Sequence, residues 1–199
     1  VVGGVVAITR EASGGLAIGG KGKIVEWALE MQRFDENATL DRLADRGRID
    51  DVLADALGHA VAAAHEKAPV ADATAWIAAL SEYISQNDEA FREFPDLFSQ
   101  DEIAALTQSS RDAFSRVQPL LKRRGDIGLI RRGHGDLHLG NIVLIDGKPV
   151  LFDAIEFDPV VASGDLLYDL AFLLMDLVER VLGNAANIVF NRYLSETAR

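Results

Sequence analysis

Two carboxylates and an amide, Asp136, Asp153 and Asn141, fall in one stretch, RRGHGDLHLGNIVLIDGKPVLFDAIEFD, from Arg131 to Asp158. Asp146-Gly147 within it is a strong two-residue hairpin signal. It joins Ile142–Ile145 to Val150–Phe152, and Pro149 is tolerable if its strand lies at an edge. Pairing Ile145 with Lys148 and counting back sets Leu144 against Pro149, Ile142 against Leu151 and Asn141 against Phe152. Asn141 and Asp153 are therefore expected to meet at the open end of the hairpin. Asp136 comes five residues before Asn141, in a loop that Gly135 and Gly140 can fold tightly. An acidic base, a neutral oxygen ligand and a second carboxylate suit Mg²⁺, which prefers oxygens and keeps waters and substrate phosphates. The chemistry indicated is phosphoryl transfer.

His134-Gly135-Asp136, with Asn141 five places after the Asp, repeats the spacing of the protein-kinase catalytic loop, and Asp153 stands where the second, metal-binding Asp follows the next hairpin. HGDLHLGN, the hairpin, Asp153 and the run Gly164-Asp165…Asp169-Leu170-Ala171 together resemble the aminoglycoside phosphotransferase family. The longer string LFDAIEFDPVVASGDLLYDLAFLLMDL most resembles a bacterial subgroup of uncharacterised aminoglycoside-phosphotransferase-like proteins. Some of that subgroup carry a fused P-loop kinase domain, and none lies within these 199 residues. The resemblance covers most of the chain, while its specific motifs sit between His134 and Ala171.

The resemblance implies an ATP- (or GTP-)dependent, Mg²⁺-assisted phosphotransferase acting on a hydroxyl of a small molecule. Asp136 would be the base, with His134 in the same motif either buttressing the loop or taking part in the chemistry, and Asn141 and Asp153 would hold metal. His138, Asp165 and Asp169 would support the loop, the family's Asp-Leu-Ala acid being Asp169. Glu30, Met31 and Gln32 would form the hinge whose backbone faces adenine. The implied fold is α+β and protein-kinase-like. It comprises a partial antiparallel N-lobe sheet over 1–33 and a mostly helical C-lobe over 34–199 that holds the catalytic hairpin.

Two other readings stand beside this one. His134 and His138 with Asp136 and Asp153 could form the oxygen and nitrogen metal cluster of a metallophosphoesterase, although the chain has only four histidines. A non-catalytic, kinase-like nucleotide-binding module is the second, because nothing before the hinge matches the usual N-lobe lysine or its helical glutamate partner. Lys21 and Lys23 occupy a hairpin turn and come too late in the order. Gly15–Lys21 imitates a Walker A loop, yet Gly22 replaces the Ser or Thr that binds Mg²⁺ and no helix is expected after it. For the acceptor, Glu156 and Asp158 are either an acidic wall suited to a cation, such as an aminoglycoside, or a solvated or structural loop pair.

A formal net charge of −11 argues against non-specific nucleic-acid binding, which needs a basic surface. The absence of cysteine excludes disulfides and thiolate zinc sites. No uncharged apolar run approaches membrane-spanning length; Leu170–Met175 is bounded by Asp169 and Asp176. The start Val1-Val2-Gly3-Gly4 lacks the basic region of a signal peptide. These features fit a cytoplasmic protein. The chain also lacks an initiator Met and opens mid-strand, as expected for a fragment.

The remaining segments must position the site. Val5–Arg10, Leu16–Gly20 and Ile24–Phe34 read as an antiparallel meander. Helices are expected over Thr39–Arg46, closed by Gly47, and over Asp50–Lys67 with Leu53, Leu57, Ala60, Val61 and Ala64 on one face. On the second of these, His59 and His65 are expected to be structural or solvated. A third helix carries Ala73, Trp76, Ile77, Leu80 and Ile84. Ser99 and Glu102 form a capping box before a helix striped by Ile103, Leu106, Ser110, Ala113, Phe114, Val117 and Leu121. Phe91, Phe94, Leu97 and Phe98 read as packing residues. Asp165–Leu182 reads as a helix buried all round, capped by Asp165 or Ser163 and ended by Gly183, with a last helix over Ala185–Glu196.

Overall fold

The computed structural model describes residues 2–197, so the outermost residues of the two expected spans, 1 and 198–199, lie outside the described residues. Strands β1 (Val2–Arg10), β2 (Leu16–Ile18) and β3 (Lys23–Met31) form an antiparallel sheet in the order β2-β1-β3. Six helices follow: α1 (Leu40–Asp45), α2 (Asp51–Lys67), α3 (Ala73–Arg92), α4 (Gln100–Asp126), α5 (Leu166–Glu179) and α6 (Gly183–Thr197). Between α4 and α5 lie β4 (Ile130–Arg132), the hairpin β5 (Ile142–Ile145) and β6 (Lys148–Leu151), and β7 (Ser163–Asp165), which pairs with β4.

Local signals explain most boundaries. Asp50, Asp72, Ser99 and Asp165 each cap a helix by accepting from backbone amides of its first turn, and Ser99 completes the capping box with Glu102. Gly47 takes φ +65° after α1, the left-handed conformation that glycine adopts without a Cβ clash. The Walker-like glycines form a hairpin corner with no helix after them: the Gly22 amide donates to the Glu11 carboxylate at 3.0 Å.

The main core joins α1, α2, α5, α6 and the loop before β5, through Leu40, Leu57, Val61, Leu137, Leu139, Leu173 and Val189, all fully buried. Burying each such side chain contributes about 1.5–3 kcal/mol. A smaller core packs Trp76 and Ile77 of α3 against Ile130 of β4. Leu137 and Leu139 point inward on either side of His138, so the hydrophobic effect itself pins the loop that carries Asp136.

Several expectations need correction. The buried face of α2 is Ala54, Leu57, Gly58, Val61, Ala62 and His65, rotated from the stripe through Leu53, Ala60 and Ala64. The cause is close packing of α6: a Cβ on Gly58 would lie 2.8 Å from the Val189 carbonyl oxygen, so the small residues of α2 face inward. On α4 only Ile103 and Thr107 are buried, and Leu106 and Val117 are exposed. Phe94, Leu97 and Phe98 are exposed as well; Phe91 stacks on Phe98 at 5.0 Å between ring centroids. Strand β3 stops at Met31, and Phe34 instead packs on Phe152, 4.9 Å away. Helix α5 buries one face and leaves Tyr168, Met175 and Val178 in solvent, because it covers the core from one side only.

Helix α5 also ends earlier than expected, and Gly183 starts α6 rather than stopping α5. The chain turns at Val181, whose amide donates to the Val178 carbonyl while Leu182 donates to Leu177, a Schellman closure. Val181 holds φ +62° and is 90% exposed, so a β-branched residue bears left-handed strain of roughly 1–2 kcal/mol with no packing in return. Val181→Gly is expected to stabilise the protein by about 0.5–1 kcal/mol, net of the extra chain entropy of glycine. The thermal midpoint should rise by about 1–4 °C; a fall would show that the turn is not strained.

Candidate active site

The hairpin adopts the counted register: Ile145 opposite Lys148, Leu144 opposite Pro149 and Ile142 opposite Leu151. Asp146 and Gly147 have φ +50° and +74°, as a primed two-residue turn requires. β5 and β6 form a sheet of their own, so both are edges and Pro149 breaks no ladder. The Phe152 amide donates to the Asn141 carbonyl at 3.0 Å, carrying the pairing one step past the strands. Asp153 follows at the open end, exposed, with φ +59°. An aspartate tolerates that region better than most residues do, at a cost of about 1–3 kcal/mol.

Asn141 is buried, and its amide nitrogen donates to both the carbonyl of Asp136, at 3.0 Å, and its carboxylate Oδ2, at 3.1 Å. That fixes the amide orientation and leaves the Asn141 Oδ1 lone pairs without a donor among the described residues. Asp136 Oδ1 is likewise unengaged. His138 caps the turn: its Nδ1 accepts from the Gly140 amide at 3.1 Å, so the ring proton sits on Nε2, 3.5 Å from Asp136 Oδ2. Its place is support beside the acid.

His134 is buried, and its Nε2 donates to the Phe152 carbonyl at 2.8 Å, tying the loop to the hairpin end. A carbonyl only accepts, so the proton is on Nε2, and Nδ1 is buried with no partner among the described residues. This geometry makes His134 a buttress rather than a reacting group. For the metal-cluster alternative, the ring nitrogens of His134 and His138 are engaged or enclosed, and among the described residues no group of three or more His, Asp or Glu is arranged to hold a metal ion.

Two acids of α5 hold this loop from below, and a third at its cap fixes α5 itself without touching the loop. Asp169 is buried; its Oδ2 accepts from the His134 amide at 2.9 Å and its Oδ1 from the Gly135 amide at 3.1 Å. Asp176, two turns on along the same face, accepts from the Leu139 amide at 2.8 Å and pairs with Arg180. Asp165 caps α5 and is bound by both Arg124 nitrogens that reach it.

A fourth support escaped the sequence reading. His65 of α2 is buried, with Nε2 3.1 Å from Asp169 Oδ2 and Nδ1 2.9 Å from the Tyr193 hydroxyl of α6. Burial, the largest influence, pushes the Asp169 carboxyl up, but the hydrogen bonds from His65, His134 and Gly135 outweigh it and hold it below its ordinary value. Burial pushes the Tyr193 phenol up to about 12. It therefore keeps its proton, and because a carboxylate only accepts, His65 gives its Nε2–H to Asp169. The signal was present in sequence: Leu57, Val61 and His65 are spaced by four, which puts the histidine on the inward stripe.

Glu30 and Met31 end β3, an edge strand, and Gln32 follows it, so one edge of the expected hinge is unpaired. Glu156 is exposed, and its backbone carbonyl accepts from Arg132. The Asp158 carboxylate accepts from the Val160 and Val161 amides, so it serves its own turn instead of forming an acidic wall with Glu156. A cavity of about 310 Å³ opens beside Gly133 and Gly135.

Uncharacterized proteins from Mycobacterium bovis and two strains of Mycobacterium tuberculosis are 28% identical to this chain over 151 residues, covering 74% of it and 30% of each relative. The chain thus spans less than a third of the length of these curated relatives. No solved structure matches it. The model of the phosphotransferase enzyme family matches residues 13–199, a span that includes the catalytic loop, the hairpin and the α5 acids. The chain therefore belongs to the phosphotransferase enzyme family and has its protein-kinase-like α+β fold.

Proposed function

We propose that the complete protein transfers the γ-phosphoryl group of ATP or GTP to a hydroxyl of a small molecule, with Asp136 as base. The observation that carries this reading is the Asn141–Asp136 hydrogen bond at 3.1 Å, which sets a neutral oxygen ligand beside a carboxylate whose other oxygen is open. A Mg²⁺ ion would be held by Asn141 Oδ1 and Asp153, a donor set that fits an oxygen-seeking ion, and would supply charge neutralisation on the phosphates. Glu30–Gln32 would receive the nucleotide base along the free edge of β3. On this reading residues 1–33 and 34–199 are the two lobes, the second holding the chemistry. The acceptor is a small molecule, with no nucleic-acid or membrane partner, and the setting is cytoplasmic; no helix among the described residues is long and apolar enough to cross a membrane.

The test is calorimetric titration of Mg·ATP into the 199-residue chain and into a longer chain of the same protein. Asp153→Ala is expected to weaken Mg·ATP binding by at least about tenfold, as loss of one charged ligand should. Unchanged affinity would remove Asp153 from the metal site. Metal-dependent phosphatase activity without nucleotide would favour hydrolysis instead.

A further inference from the structure

We propose that the cavity beside the catalytic loop is an acceptor pocket for an uncharged, ring-bearing alcohol with a second oxygen, and that it discriminates against polycations. Its role as acceptor site rests on the phosphotransfer reading; its ligand class does not.

The apolar part of the wall is Trp76, Leu80 and Tyr83 from α3, Val160 and Val161 before β7, and Tyr168 from α5. At about 310 Å³, the space is at the small end of ligand pockets, which are mainly apolar with a few placed polar groups. Its wall includes Gly133 and Gly135 of the loop, so it abuts the loop that carries Asp136, although Asp136 itself is not part of the lining.

Charge decides the ligand class. Arg131, Asp165 and Asp169 also line the cavity, but each is committed inward. Both Asp165 oxygens meet Arg124, and both Asp169 oxygens accept from His65 or the loop amides. Arg131 donates to the carbonyls of Gly128, Glu66 and Ala68. The wall offers a cation no carboxylate oxygen that lacks a partner among the described residues, and it includes one guanidinium. Glu156 and Asp158 do not line the cavity.

One polar group remains open. Trp76 is 94% buried by the complement of its 6% exposure, yet its indole N–H has no hydrogen-bond partner among the described residues. It lies on the side of Gly164, another wall residue, where an added Cβ would sit 3.7 Å from Nε1. The nitrogen itself is not sealed off, and an ether, carbonyl or hydroxyl oxygen of a ligand would take the place of water on it. The flat aromatic walls favour a ring beside that oxygen.

Trp27 and Trp76 are the only tryptophans, so Trp27→Phe leaves Trp76 emission as a reporter of the cavity. In that background, phenoxyethanol, an aryl ether alcohol, is expected to shift Trp76 emission saturably, whereas kanamycin at equal concentration is not. Gly164→Ala places a methyl at ordinary contact distance from the indole without a clash, and should weaken phenoxyethanol binding by about tenfold. Tyr168→Ala, at a residue 65% exposed, should weaken it with the fold retained. A saturable response to kanamycin but not phenoxyethanol overturns the proposal, as does undiminished phenoxyethanol binding in both variants with native circular dichroism. Because the readout needs no nucleotide, binding without phosphorylation by the complete protein would sink the phosphotransfer reading and leave the pocket assignment standing.

Discussion

Asp136→Asn is expected to lower kcat of the complete protein by on the order of 10²- to 10⁴-fold, the usual contribution of a positioned base, while leaving Mg·ATP affinity nearly unchanged. The substitution is close to isosteric. The carboxamide oxygen can occupy the place of Asp136 Oδ2, which accepts from Asn141, and its NH₂ then replaces Oδ1, the oxygen open to an acceptor hydroxyl. Geometry is preserved and the proton acceptor is lost. Since positioning and metal electrostatics supply much of phosphoryl transfer, residual turnover should remain. Steady-state kinetics with calorimetric nucleotide binding separates the two effects. Equal kcat in both proteins would remove Asp136 as an important base, and a large loss of nucleotide affinity would place it with the metal ligands.

The β5–β6 hairpin was legible because its determinants are local: Asp146-Gly147 sets the turn, the turn sets the register, and the register puts Asn141 and Asp153 at its open end. Caps were legible for the same reason, each depending on a side chain and amides two or three residues away. What could not be read was set by partners remote in sequence. Gly58 faces inward only because α6 crosses α2 closely, and the exposure of Phe94 and Leu97 reflects the lack of any element over that end of α3 and α4. For Asp158 the sequence left a structural turn and an acidic wall open, and the Val160 and Val161 amides that its carboxylate accepts from become visible only in the fold. His65 stands between these cases: its spacing from Leu57 and Val61 predicts burial, but only the fold names Asp169 and Tyr193 as its partners.

That chain of partners sets the largest stability effect expected. Asp169→Ala leaves the His134 and Gly135 amides and His65 Nε2–H without their acceptor in a buried setting, each unmet donor costing about 1–3 kcal/mol. Relaxation and water entry recover part of this, so a loss of about 3–5 kcal/mol is expected. That is a large share of a typical 5–15 kcal/mol stability. His65→Phe should cost less, about 1–3 kcal/mol, because Asp169 keeps its two loop amides. The two losses should be non-additive, since both remove the same bond. The pH dependence follows from the direction of the Asp169 shift. Its folded carboxyl lies below the ordinary 3.8, so the stability it contributes is complete above that value and is lost as pH falls below it through the folded pKa. Urea unfolding should therefore show a gap between wild type and Asp169→Asn that is constant from about pH 7 to 5 and narrows as pH falls below about 3.8 toward the folded pKa. A gap that does not narrow below that value, or additive losses for Asp169→Ala and His65→Phe, would mean that the His65–Asp169 bond does not hold the loop of Asp136.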